Sequence, residues 1–95
     1  MSTISGFLDG EYSGKTYETI MNIGSALDCA CQAKKKIYYN FSFYKDPQNP
    51  AMNACYLKGS FISKGSLIKK DGYSSGNWAL CGRYVGDLDF LQKRK

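Results

Sequence analysis

The sequence predicts a β-rich single domain, and three observations predict it. The chain is short, at 95 residues, which is the size of one compact domain. Aromatic residues are abundant, with eight Tyr, five Phe and one Trp, and such residues favour pleated structure. Glycines and turn dipeptides recur along the chain, as in folds built from several short strands. Hydrophobic residues make up 43% and charged residues 22%, ordinary values for a folded domain, so a disordered chain is excluded. The whole of residues 1–95 reads as one domain, with a frayed basic tail at 92–95.

The elements follow in order. Ile4 to Tyr12 reads as a first strand bent at Gly6 and Gly10, since glycines inside a strand mark bulges and bends. Ser13-Gly14 is a turn signal. Lys15 to Ile23 reads as a second strand, with helix as a competitor over Tyr17 to Leu27. Ala26 to Gln32 alternates, Leu27, Cys29 and Cys31 against Asp28, Ala30 and Gln32, and reads as a third strand. Ile37 to Tyr44 shows the clearest period of two: Ile37, Tyr39, Phe41 and Phe43 form the core set, and Tyr38, Asn40, Ser42 and Tyr44 face outward. Asp46-Pro47-Gln48-Asn49-Pro50 must be a loop. Ala51 to Leu57 is expected as one or two helical turns. Gly59 to Ser63 and Ser66 to Lys70 read as strand, Asp71-Gly72 as a hairpin turn, Trp78 to Val85 as strand, and Asp87 to Leu91 as a final short element. The sum is about five strands and at most one short helix, an arrangement that a small closed barrel suits because closure removes exposed edges.

The order strand–strand–strand–short helix–hairpin is that of an OB-fold. Ala54-Cys55-Tyr56-Leu57-Lys58-Gly59-Ser60-Phe61-Ile62 resembles the segment leading into the fourth strand of single-stranded-DNA-binding proteins of bacteria and phages. Gly65-Ser66-Leu67, Lys70-Asp71-Gly72, Val85 and Asp89-Phe90-Leu91 continue the same order, and Ile4-Ser5-Gly6-Phe7-Leu8 is similar to that family's opening. The resemblance implies a five-stranded OB-type barrel and single-stranded DNA as partner; assembly as a dimer or tetramer is expected because five short strands bury little alone. The chain departs from the pattern in having Tyr38-Tyr39 where the family has a Trp and in ending in Lys-Arg-Lys rather than in an acidic tail, a minimal and phage-like version.

Independent of that resemblance, the net charge is +5 and the sequence pI is about 9.0, which suits an anionic partner. Sequence-tolerant binding of single strands needs cations along the phosphates and flat rings under the bases, each ring contributing roughly 1–3 kcal/mol. The sequence interleaves both. Lys34, Lys35, Lys36, Lys69, Lys70 and Arg83 are the phosphate candidates, and Tyr38, Tyr44, Tyr73 and Trp78 the stacking candidates. A solvated strand end competes as the reading of the three lysines, and a core position as that of Trp78.

Catalysis finds little support. The chain has no His, the usual base near neutral pH. Its carboxylates are scattered, and Asp87 and Asp89 read as a surface pair. Gly14-Lys15-Thr16 mimics the end of a phosphate loop without its preceding glycine. No cofactor or metal is expected. Cys29, Cys31, Cys55 and Cys81 lack a zinc spacing and read as small buried hydrophobes in a reducing, cytoplasmic setting. The opening MSTISGFLDGEYSG, without a basic start and a long apolar run, is not expected to act as a secretion signal, and no apolar run of roughly 18 residues occurs in the sequence. The leading expectation is a non-enzymatic module that binds single-stranded DNA or RNA without sequence preference. The runner-up is a small protein-interaction module, such as a phage inhibitor of a host protein, which many surface tyrosines suit equally. A structural subunit that buries its aromatic face on self-association is the third reading.

Overall fold

The glycine bend expected near the N-terminus is where two sheets meet. In the computed structural model, which describes residues 6–59 and 67–82, β1 (Leu8–Asp9) and β2 (Glu11–Tyr12) are separated by Gly10. Gly10 has φ +124°, and a Cβ there would collide with the Ile68 carbonyl, so only glycine fits. The chain continues through β3 (Thr16–Met21), α1 (Ala26–Lys36), β4 (Asn40–Tyr44), a 3-10 turn (Pro50–Met52), β5 (Ala54–Lys58), β6 (Leu67–Ile68) and β7 (Tyr73–Asn77). Residues 79–82 are helical. The larger sheet has the order β1-β7-β4-β5-β3, and β2 pairs with β6 in a small second sheet. All these pairings are antiparallel. The molecule is therefore β-rich. Among the described residues the larger sheet is open, with β1 and β3 at its edges, and no closed barrel forms.

Four expectations are corrected. Residues 26–32 are helix, not strand. Ser25 caps the helix, its Oγ accepting from the Asp28 N–H at 3.1 Å, with Asp28 in the first turn and Lys34, Lys35 and Lys36 in the last. Both ends suit the helix dipole. Cys29, Ala30 and Ala33 are buried and lie on one helical face, a spacing that a short window does not separate from alternation. Second, the strand expected from Ile37 begins only at Asn40. Ile37 sits in the left-handed region at φ +64°. The Ile37 N–H donates to the Lys34 carbonyl at 3.2 Å and the Tyr38 N–H to the Ala33 carbonyl at 2.8 Å, the two-bond closure of a helix end. Third, Ala54–Lys58 is strand; only Pro50–Met52 forms a helical turn, capped by the Asn49 Oδ1, which accepts from the Ala51 N–H. Fourth, the strand expected over 78–85 is Tyr73–Asn77, and Leu80 then turns into the core, 6% exposed. The Asp71-Gly72 turn forms, with Gly72 at φ +84°, but β6 pairs with β2 rather than with β7. Residues expected as strand within 60–66, Arg83 and the elements beyond it lie outside the described residues.

The core lies between α1 and the sheet. Phe41 and Phe43 on β4, Cys55 and Leu57 on β5, and Cys29, Ala30 and Ala33 on α1 are joined by Phe7 and Leu80. Phe7 meets Phe41 edge-on at 6.0 Å. On the opposite face the small sheet covers a polar cluster. The Ser75 Oγ donates to the Gly10 carbonyl at 2.7 Å, and the Ser42 Oγ accepts from the Tyr12 N–H at 2.9 Å. Since a hydroxyl has one proton to give, Ser42 is the donor in its 2.7 Å contact with Ser75.

Both sulfur pairs run from α1. Cys29 is bonded to Cys55, and Cys31 to Cys81. The pairing overturns the reading of the cysteines as unpaired hydrophobes and removes the ground on which a reducing compartment was inferred. In a chain-entropy account, closures of 26 and 50 residues stabilise by about 3.5 and about 4 kcal/mol.

Candidate interaction site

The ten basic and aromatic residues singled out in the sequence fall into two groups. Asn40 pairs with Asn77 at one end of the β4–β7 ladder, and Tyr44 pairs with Tyr73 at the other. Four residue steps separate these ends, about 14 Å at the rise of an extended strand. Lys34, Lys35, Lys36, Tyr38 and Trp78 lie at the first end. Tyr44, Lys69, Lys70 and Tyr73 lie at the second. Arg83 is outside the described residues.

The second end is electrostatically compensated. Tyr44 and Tyr73 pack at 4.9 Å, and Tyr56 lies 6.4 Å from Tyr73. Lys70 donates to the Glu11 carboxylate at 2.8 Å, and this bond raises its pKa above the usual lysine value. Its ammonium is 5.2 Å from the Tyr73 ring centroid. A depression of about 480 Å³ beside it is lined by Asp9, Lys69, Lys70, Asp71, Gly72 and Tyr73. Asp9 and Asp71 line the depression together with the two lysines, and Glu11 pairs with Lys70, so a phosphate would compete with carboxylates there. Lys58 pairs with Asn40 at the first end, but its ammonium reaches to 3.9 Å from the Glu11 carboxylate, and the residue is 3% exposed. It donates to the Gly14 carbonyl at 2.9 Å and to the Thr16 Oγ1 at 2.7 Å. Burial lowers its pKa, against the raising effect of the Glu11 carboxylate 3.9 Å away. Lys58 is a structural cation, not a surface one. Burial also raises the pKa of Tyr12 and of Tyr73.

The first end is apolar and open. A concave site of about 520 Å³ is lined by Lys34, Ile37, Tyr38, Tyr39 and Trp78. The C-terminal turn of α1 supplies Lys34, its left-handed closure supplies Ile37, and the lead into β4 supplies the two tyrosines. Trp78 enters from the end of β7, its N–H donating to the Tyr39 carbonyl at 3.0 Å. The Ala79 N–H donates to the Asn77 Oδ1 at 2.8 Å, opening the helical residues that follow. Ile37 is 90% exposed, Tyr39 49% and Trp78 37%. Tyr38 is better covered and stacks on Tyr17 at 6.0 Å, with the Lys15 ammonium 5.0 Å from the Tyr17 ring centroid. Lys36 is drawn away into a 3.0 Å ion pair with Glu18. Lys34 and Lys35 have no ion-pair partner among the described residues.

The structure thus brings together Lys34, Tyr38 and Trp78 of the expected residues, and adds Ile37 and Tyr39, which the alternation had placed in the core. The signal for the added pair was present. Ser25-Ala26-Leu27-Asp28 has the spacing of a helix cap, and a helix over the following residues ends at the three lysines, leaving Ile37 past the end of α1 and outside any strand.

Among the described residues, no group of three or more His, Cys, Asp or Glu could hold a metal ion, and no helix is long and apolar enough to cross a membrane. No family model, curated protein or solved structure matches the chain.

Proposed function

We propose that this chain is a disulfide-linked, non-catalytic module that docks an acidic and apolar protein segment on the site formed by Lys34, Ile37, Tyr38, Tyr39 and Trp78. The observation that carries the reading is Ile37. A β-branched residue in the left-handed region is an outlier, and this one also presents nearly all of its side chain to solvent. Both features cost stability, and strained residues of this kind cluster at functional sites. Trp and Tyr beside it are the side chains that anchor protein interfaces. Lys34 and Lys35, without an ion-pair partner among the described residues, favour a segment in which Asp or Glu flanks the apolar residue. Two disulfides suit an oxidising compartment, and this replaces the cytoplasm in the proposal.

Panning a random-peptide display library on the intact protein tests the reading. Enriched peptides should carry an aliphatic or aromatic residue beside carboxylates. Ile37→Ser and Trp78→Ala should abolish their binding, and Lys69→Ala should leave it unchanged. No enrichment, or peptides indifferent to Ile37→Ser, would overturn it.

A second reading keeps single-stranded nucleic acid and an OB-type relationship. It is favoured by the placement of Lys34 beside the Tyr38 and Trp78 rings, a cation and stacking surfaces on one site. It predicts quenching of Trp78 fluorescence by oligo-dT, weakening steeply as salt rises. The split between the two ends and the carboxylates at the second end weigh against a continuous phosphate track.

A further inference from the structure

We propose that the Cys31–Cys81 bond is a redox latch that holds the docking site together, an inference that rests on the docking reading above. The two disulfides differ in access. Cys29 and Cys55 are both 0% exposed and belong to the core. Cys31 and Cys81 are both partly exposed. Thiol–disulfide exchange requires a thiolate to reach a sulfur, so the outer bond exchanges first.

Its position ties that event to the site. Cys31 and Lys34 are three residues apart on α1 and so lie on one helical face. Cys31 bonds to Cys81, and Lys34 lines the site with Trp78. Residues 78–82 therefore run along α1 as a strap. The Cys81 N–H donates to the Trp78 carbonyl at 3.1 Å, which couples the tryptophan backbone to the bonded cysteine, and a Cβ at Gly82 would stand 3.6 Å from the Lys34 Nζ. Inside the strap, Leu80 remains buried in the core, so opening the outer bond loosens the strap without removing its anchor.

The step balances with a dithiol as reductant. One of its thiolates attacks a sulfur of the Cys31–Cys81 pair, giving a mixed disulfide and releasing the other cysteine. Its second thiol displaces the remaining cysteine. Cys31 and Cys81 end as thiols, having gained two electrons and two protons, and the dithiol ends as its cyclic disulfide.

The test is graded reduction of the whole protein with dithiothreitol, followed by alkylation and peptide mapping. Cys31 and Cys81 should be labelled while Cys29 and Cys55 remain joined. In that species the amide resonances of Lys34, Tyr39 and Trp78 should move, and those of Phe41 to Tyr44 should stay. A peptide selected on the oxidised protein should bind about tenfold more weakly. A Cys31→Ser/Cys81→Ser variant should reproduce these changes without reductant; if it does not fold, the reduced wild-type protein decides. Simultaneous reduction of both bonds, collapse of the sheet resonances on selective reduction, or Trp78 resonances that do not move would each overturn the latch. If no peptide is ever selected, the labelling and resonance measurements still decide it, and only the docking reading fails.

Discussion

Ile37 carries two costs that an isoleucine ordinarily avoids. Left-handed backbone costs about 1–2 kcal/mol for a residue with a Cβ, and exposure forgoes the burial that favours aliphatic side chains. Glycine meets neither cost at a helix end. Ile37→Gly is therefore expected to stabilise the fold by about 1 kcal/mol after the extra flexibility of glycine in the unfolded chain is counted. Urea unfolding at constant m-value checks it. The same substitution should abolish peptide binding, the opposite sign in function. A loss of stability would mean that the isoleucine side chain packs in the native state, and the functional account of its exposure would fall with it.

At the scale of the element, α1 organises the molecule. It carries one end of each disulfide and, through Lys34 and the closing residue Ile37, two of the five residues that line the proposed docking site. Its start depends on Ser25, whose hydroxyl oxygen satisfies the Asp28 N–H. Ser25→Ala should cost about 1 kcal/mol, read as a lower thermal midpoint with the native spectrum unchanged; no change would mean that solvent satisfies that N–H as well. This element also shows what the sequence could and could not disclose. The strand at Asn40–Tyr44 was legible from its period of two, although its start was placed too early, at Ile37; the strand at Thr16–Met21 was read against a helical competitor, because both of its faces mix polar and apolar residues. The helix was not legible, because Leu27, Cys29 and Cys31 alternate within seven residues that also fit a helical face. Its capping signal at Ser25 and Asp28 went unread. Misplacing the helix then put Ile37 and Tyr39 in the core and hid the site they form, although Lys34, Tyr38 and Trp78 had been named for their chemistry. The hairpin expected at Asp71-Gly72 failed for a different reason. The dipeptide specifies a turn, and which strands pair across it is decided by Gly10, which sends β2 away to meet β6.

At the scale of the whole molecule, several perturbed groups titrate in the alkaline range. Tyr12 and Tyr73 are raised by burial, and Lys70 by its bond to Glu11. For each, the native state holds its proton at a pH where the unfolded chain has begun to lose it, so the stabilisation is complete below about pH 10 and is lost as pH rises through the native values. Lys58 is lowered and acts oppositely, since the native state sheds that proton first and stability gains as pH approaches the unfolded lysine value. Three of the four shifts act in the falling direction, and a thermal midpoint that falls beyond about pH 10 is the expected outcome. Tyr12→Phe should make the fall shallower. A midpoint that rises through that range would place Lys58 in control instead.

The sulfur pairing has a consequence for how the chain survives cutting. The Cys31–Cys81 bond spans every peptide bond between those residues, and the Cys29–Cys55 bond spans the first part of that interval again. Exposed residues 47–52 offer a protease its natural entry. A single cut there adds one water and leaves two chains joined twice over. A single cut in the exposed residues 68–72 leaves them joined once. A singly nicked molecule therefore stays one covalent unit, and reduction of the bonds that span the cut is what would part its two chains.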